Sequence, residues 1–352
     1  ICASLTEQLH ESGHEDIVTR IRMLAEAGRI ELVSSAAYHP ILPFLPEKEI
    51  IRQIRLNEEI NRKYFGSAWQ PRGFFLPEMA YSRKAAEVIK SMGYQWIVLD
   101  EIAYKGRIGG AAFDKKYRLK ISLFRHLGVI FRNRGLSATF FSDRLDAADK
   151  FFSAAQKDGR CDKFAVTAFD GENLGHHQSH LIDVWEKIIT DPRVVPVGYS
   201  QYLGLLRKSK TEKVEPVNSS WATEQEDFTN GNFYPLWSDP YNLIHEGFRK
   251  LAVLARKSVY RSVKEENYAA ARKILDKAMF SDPCWWASAR PWWGPGMIIL
   301  GVRCFSKIFA LLEMSMDPRE REEAKSLSEM ILSAVKTKEI KKNNHLQFSN
   351  EI

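Results

Sequence analysis

Apolar residues recur over the first two hundred positions with two alternating periods. Ile17, Ile21 and Leu24 fall at i, i+4 and i+7 and predict a helix over 14–27, closed by Gly28. Ile30–Ser34 then reads as a short strand. A second helix starts after Pro46, turns Ile50, Ile51 and Ile54 inward, and stops at Gly66. The same alternation predicts strands over 73–76, 96–99, 128–131, 164–169 and 194–197, and helices over 82–92, 144–156 and 181–189. In the 144–156 helix Leu145, Ala148, Phe152 and Ala155 are expected to face inward. Six strands alternating with helices predict a parallel α/β architecture, either a barrel or a doubly wound sheet. After Tyr199 the pattern changes. Residues 211–243 are rich in Trp, Tyr, Pro, Asn and Ser, and helical periodicity resumes over 242–261, 264–279, 291–313 and 317–337. The expected organisation is therefore an α/β unit over 1–210, an aromatic linker or active-site loop over 211–243, a helical domain over 244–337, and a polar, disordered tail over 338–352.

The chemistry-bearing residues cluster where strands end. The 164–169 strand runs into Asp170-Gly-Glu172 and then His176-His177, the place where α/β folds put their reactive groups. A plain solvated turn at Asp170-Gly171 fits the same residues. The 73–76 strand has the same grammar: Pro77 ends the ladder and Glu78 follows it. Two strands, each delivering a carboxyl at its carboxyl end, supply the nucleophile and the acid/base that retaining glycoside hydrolysis needs, roughly 5–5.5 Å apart. Burial and the neighbouring carboxylate are expected to keep Asp170 protonated.

A competing reading treats Asp170, Glu172, His176, His177 and His180 as metal ligands, since His176 and His180 share a face if the segment is helical. The motif is not H-E-x-x-H and no cysteine is near, so no metal is expected. His39, in Tyr38-His39-Pro40, fits either a substrate partner or a structural histidine. Trp221 and Trp237 fit either stacking on sugar rings or gluing one domain to the next. The tryptophans at 285–286 and 292–293 read as packing at helix breaks.

Composition narrows the classes. The 352 residues are 45% hydrophobic and 27% charged, as in a soluble globular protein, and no apolar run is long enough to span a bilayer. A net charge of +7 without a basic stripe interleaved with aromatics excludes a nucleic-acid platform. The four cysteines lack C-x-x-C spacing and predict free thiols in a reducing, cytoplasmic setting. The chain opens on Ile1 rather than Met, so a missing N-terminal segment is expected.

These motifs resemble glycoside hydrolase family 57, retaining enzymes of α-glucans with a (β/α)7 pseudo-TIM barrel and a C-terminal helical bundle. Gly73-Phe-Phe-Leu-Pro-Glu78-Met-Ala-Tyr81 is similar to the family's third motif, with Phe75 where Trp is usual, and implies Glu78 as nucleophile. Ala168-Phe-Asp170-Gly-Glu-Asn-Leu-Gly-His176 is similar to the fourth and implies Asp170 as acid/base. Tyr38-His39-Pro40 resembles the second motif, Phe131-Arg132-Asn-Arg134-Gly-Leu-Ser137 an arginine-containing active-site segment, and Ser220-Trp221 with 234–245 the link to the helical domain. The first motif and its strand have no counterpart here, which implies either a lost N-terminal fragment or a degenerate barrel. The resemblance implies a hydrolase or glycosyltransferring enzyme of α-1,4-glucan or maltooligosaccharides that needs no cofactor. His39, Arg132, Glu172, His176 and Trp221 would hold or stack the sugar. It leaves oligomeric state open. The alternatives are a zinc-dependent carbohydrate enzyme on a related barrel and a non-catalytic glucan-binding protein.

Overall fold

The computed structural model describes residues 1–122, 125–141, 145–176 and 178–349, with side chains through 339. The chain forms two compact units, Ile1–Ala37 with Leu42–Thr229, and Tyr38–Ile41 with Asn230–Ile352. In the first unit the strands are β1 (Gly73–Phe75), β2 (Trp96–Asp100), β3 (Lys116–Lys120), β4 (His126–Arg132) and β5 (Thr211–Val214). They form one sheet in the order β1-β2-β4-β3-β5. β1, β2 and β4 run parallel, β3 is antiparallel to β4, and β5 is parallel to β3.

This corrects the expected strands. Among the described residues the ladders close no barrel, and only three of the six expected strands belong to the sheet. Residues 164–169 join no ladder: Asn133 N–H takes the Val166 carbonyl at 2.7 Å, and side chains take the groups of Ala168. Ala168 N–H donates to Ser137 Oγ at 3.1 Å, and the Ala168 carbonyl accepts from Arg132 Nη1 at 2.8 Å. Residues 194–197 likewise join no ladder, and Ser34 makes a single parallel bridge to Phe74. All six segments nonetheless reach one core. Val33, Phe75, Val98, Ile130, Val166 and Val197 pack in the same cluster with Met79, Trp96 and Ala168. Trp96 stands in register between Gly73 of β1 and Gly128 of β4. A Cβ on Gly73 would lie 2.2 Å from its ring, so glycine is what lets the indole lie across β1.

The helices Glu15–Glu26, Glu47–Phe65, Arg83–Ser91, Ala148–Asp158 and Leu181–Thr190 sit where periodicity placed them. Ser82 caps the third, its Oγ accepting from Ala85 N–H at 3.3 Å. In the first, however, Val18 is buried while Ile17 and Leu24 are 39% and 46% exposed, so the expected inward face is rotated. The second unit packs the helices Leu243–Arg261, Tyr268–Ala278, Asp282–Ser288, Pro295–Leu311 and Pro318–Ser349 on one another. The last takes in residues 338–349, where a disordered tail was expected. No helix among the described residues is long and apolar enough to cross a membrane.

Candidate active site

At the carboxyl end of β1 the chain enters a single turn, Pro77–Met79, in which two successive residues are left-handed: Glu78 at φ +56° and Met79 at φ +48°. Each such non-glycine residue costs about 1–3 kcal/mol, and that strain persists only where the surroundings over-determine it. Here they do. Met79 N–H donates to the Leu76 carbonyl at 2.8 Å and Ala80 N–H to the Pro77 carbonyl at 3.0 Å. From the far end of the unit, Tyr81 N–H donates to the Ser219 carbonyl at 2.8 Å and Trp221 N–H to the Glu78 carbonyl at 3.1 Å. The Trp221 indole Nε1–H then donates to Glu78 Oε2 at 2.6 Å. Ser220 is itself locked, its N–H 2.8 Å and its Oγ 3.0 Å from Thr223 Oγ1. Glu78 is thus fixed in both backbone and side chain by one remote segment. Trp221→Phe keeps the aromatic body and removes this donor. Because hydrogen bonds to charged groups contribute about 1.5–3 kcal/mol, a reaction that uses the Glu78 carboxylate is expected to fall about tenfold to a hundredfold in kcat with KM nearly unchanged. A change confined to KM would instead make Trp221 a contact to substrate.

The segment carrying Asp170 is pinned by the continuation of β4. Asn133 N–H donates to the Val166 carbonyl at 2.7 Å, and Arg132 and Ser137 hold Ala168 through its carbonyl and amide. Val166 and Ala168 enter the cluster that contains Met79, while Phe169 stacks on Phe140 at 4.2 Å between ring centroids. Asp170 continues the extended backbone and stands exposed, so the burial expected of it is not seen. Glu172 and His176 are exposed on the turn beyond it, His176 N–H donating to the Glu172 carbonyl at 3.1 Å. His180 Nε2 lies 3.1 Å from the Leu145 carbonyl, and His177 lies outside the described residues. Among the described residues no three His, Cys, Asp or Glu side chains could hold a metal ion. His39 belongs to the second unit. Its carbonyl accepts from Ser281 N–H at 3.2 Å and its Nδ1 lies 3.4 Å from Ser281 Oγ.

Beneath these loops lies an ionic network that the sequence reading did not assemble. β2 ends in Asp100, in register with Arg132 of β4. Asp100 Oδ2 accepts from Arg132 Nε at 2.7 Å, and Oδ1 from Arg134 Nε at 2.9 Å and Nη2 at 2.7 Å. Glu101 accepts from Arg134 N–H at 2.9 Å and from Arg160 Nη1 at 2.7 Å. Arg160 also pairs with Asp158, whose carboxyl is thereby held below its ordinary range, and Asn133 Nδ2 donates to Asp158 at 3.0 Å. Arg132 is accordingly buried and committed to Asp100 and Ala168. Acidic residues ending one strand beside an Arg-x-Arg ending its parallel neighbour were the available signal.

The family model of glycosyl hydrolase family 57 matches residues 1–191. The chain belongs to that family. Alpha-amylase 1 of Dictyoglomus thermophilum is 35% identical over 92 residues, 26% of this chain and 13% of that protein. An alpha-amylase of Pyrococcus horikoshii is 23% identical over 216 residues, 56% of this chain and 32% of the relative. The matched stretch thus spans a third or less of these relatives' length. Two solved structures share the fold. The family 57 branching enzyme of Pyrococcus horikoshii has a TM-score of 0.61 at 18% identity, covering 93% of this chain and 74% of that one. The 4-alpha-glucanotransferase of Thermococcus litoralis has 0.60 at 16%, covering 88% and 52%. Glu78 and Asp170 fall inside the stretch that matches the family 57 model, whereas Trp221 lies beyond it.

Proposed function

We propose that this family 57 chain is a retaining glycoside hydrolase or glycosyltransferring enzyme of α-1,4-glucan, with Glu78 as nucleophile and Asp170 as acid/base. The observation that carries the proposal is the strained, doubly held Glu78 at the end of β1, bonded at 2.6 Å to Trp221. The core shared by Met79, Val166 and Ala168 supports pairing it with Asp170, since both carboxylate-bearing loops leave that core. In the first step a Glu78 oxygen bonds the anomeric carbon as the glycosidic C–O bond breaks, and Asp170 gives its proton to the leaving oxygen. In the second, Asp170 takes the proton of an incoming water or sugar hydroxyl, whose oxygen displaces Glu78 from carbon. An exposed Asp170 acquires its acid form when a glucan covers it and removes its water. No step requires a cofactor.

Arg132 acts in this scheme as a positioning residue that holds the Ala168 carbonyl and hence the approach to Asp170. Glu172 and His176, exposed on the turn beyond Asp170, are the proposed partners of sugar hydroxyls. The six segments that share one core support a barrel-like unit carrying the site.

The test is incubation with maltoheptaose, followed by chromatography of the products and NMR of their anomeric protons. Shorter or rearranged glucans with the α configuration kept are expected. Unchanged maltoheptaose alongside saturable glucan binding would replace the enzyme by a glucan-binding protein.

A further inference from the structure

The amino-terminal edge of the sheet, at the opposite end of the parallel strands from Glu78, holds a cavity of about 590 Å³. Its wall carries Lys90, Lys116, Arg118, Arg125 and His126, and among the described residues no Asp or Glu lines it. The strand pattern explains why. β3 reads Lys-Tyr-Arg-Leu-Lys, so burying Tyr117 and Leu119 turns Lys116, Arg118 and Lys120 to the other face. In register, Arg118 stands beside Gly128 and Lys120 beside His126, while β5 brings Lys213 to the far side of Arg118. Gly128 in turn stands beside Trp96. A Cβ on Gly128 would lie 3.1 Å from the Trp96 Cβ and 3.2 Å from the Gln95 carbonyl, so glycine is what lets β2 and Arg118 flank β4 here without a side chain between them.

Among the described residues no carboxylate pairs with the charges of this wall, whereas Arg132, Arg134, Arg160 and Arg193 all pair with carboxylates. Lys90 and Lys116 reach the carbonyls of Tyr94 and Arg207, at 3.4 and 3.2 Å. Among the described residues neither Arg118 nor Arg125 has an acidic partner, and His126 Nδ1 is buried without a hydrogen-bond partner. Like charges gathered in one hollow repel unless an anion joins them. Trp96 has spent its polar atom elsewhere, Nε1 donating to Ser200 Oγ at 3.1 Å, so what the indole and Leu203 offer a ligand is carbon.

We propose that this cavity binds a phosphate ester of a small organic molecule. Arg118 and Arg125 would fork onto the phosphate oxygens, and the carbon surface would take the organic body. A sugar phosphate and a nucleotide share this chemistry. The proposal is independent of glucan turnover, because binding is measured without it.

The experiment is calorimetric titration of the intact chain with glucose 6-phosphate, ADP and inorganic phosphate, repeated on R118E/R125E. R118A/R125A serves as a second variant if the charge reversal perturbs folding by circular dichroism. One of the two esters is expected to bind saturably with Kd below about 1 mM and to weaken about 30-fold or more in the variants. Which ester binds distinguishes the sugar from the nucleotide. The proposal is overturned if neither ester saturates by about 10 mM or if the variants bind as tightly as the parent. It is equally overturned if inorganic phosphate binds as well as the esters, because the carbon surface would then contribute nothing.

Discussion

Glu78→Gln is expected to lower the rate of glucan cleavage by about 10⁴-fold or more, a barrier increase of roughly 5.5 kcal/mol, while leaving maltooligosaccharide affinity within a few-fold. The substitution is chosen for what it keeps. Gln has the size of Glu, and its amide oxygen still accepts from Trp221 Nε1, which now sits 2.6 Å from Oε2. The left-handed backbone at Glu78 is held by the Trp221 amide and is indifferent to the change. Only the carboxylate that would bond to carbon is lost. Asp170→Ala should divide substrates by leaving group. Maltooligosaccharides, whose departing alkoxide needs the proton, lose about 10²–10⁴-fold, whereas a 4-nitrophenyl glycoside loses far less in its first step. Added azide needs no base to attack, so it should restore turnover of the activated substrate by Asp170→Ala and leave Glu78→Gln inert. If Glu78→Gln retains a tenth of parental turnover, the nucleophile is another group and the proposed mechanism is wrong.

The turns at Glu78 and Asp170 were legible because each follows a strong local signal, an apolar segment broken by Pro77 or by Asp170-Gly171. β1, β2 and β4 were legible for the same reason, being apolar runs buried on both faces. β3 and β5 were missed because Lys-Tyr-Arg-Leu-Lys and Thr-Glu-Lys-Val are short and polar on one face, as suits the open side of a sheet. The 164–169 segment looks like a strand and lies where one would, yet the side chains of Ser137 and Arg132 take the bonds a neighbouring strand would make. Ile17, Ile21 and Leu24 gave the first helix correctly and its buried face incorrectly. Val18 packs with Ile21, three residues on, along a neighbouring face of the helix, and one sequence does not decide between the two faces. The bond between Trp221 and Glu78 joins residues 143 apart, which no spacing rule reaches.

The largest effect on stability is expected from Asp100→Ala. Asp100 is fully buried and accepts from Arg132 Nε, from Arg134 Nε and Nη2, and from the Ile102 amide at 3.1 Å. Arg132 is only 7% exposed and cannot turn to water when the carboxylate is removed, whereas Arg134, 12% exposed, keeps Glu224 at 3.1 Å. Breaking a buried pair in this way costs about 3–5 kcal/mol, because it strands charge in a poorly solvated place. For a unit of this size that lowers the first melting transition by about 6–20 °C. The loss belongs to the stranded charge rather than to the net worth of the pair, and the two separate experimentally. Arg132→Met in the Asp100→Ala background removes one stranded cation and is expected to recover part of the stability while recovering no activity. Arg132 also holds the Ala168 carbonyl at 2.8 Å, and without it the segment leading to Asp170 is released. A stability cost below about 1 kcal/mol for Asp100→Ala would place these charges in water and remove the rigid floor on which the two loops stand. If the double variant instead regains activity together with stability, Arg132 serves only to neutralise Asp100, and what positions Asp170 must be sought in the Asn133 and Ser137 bonds alone.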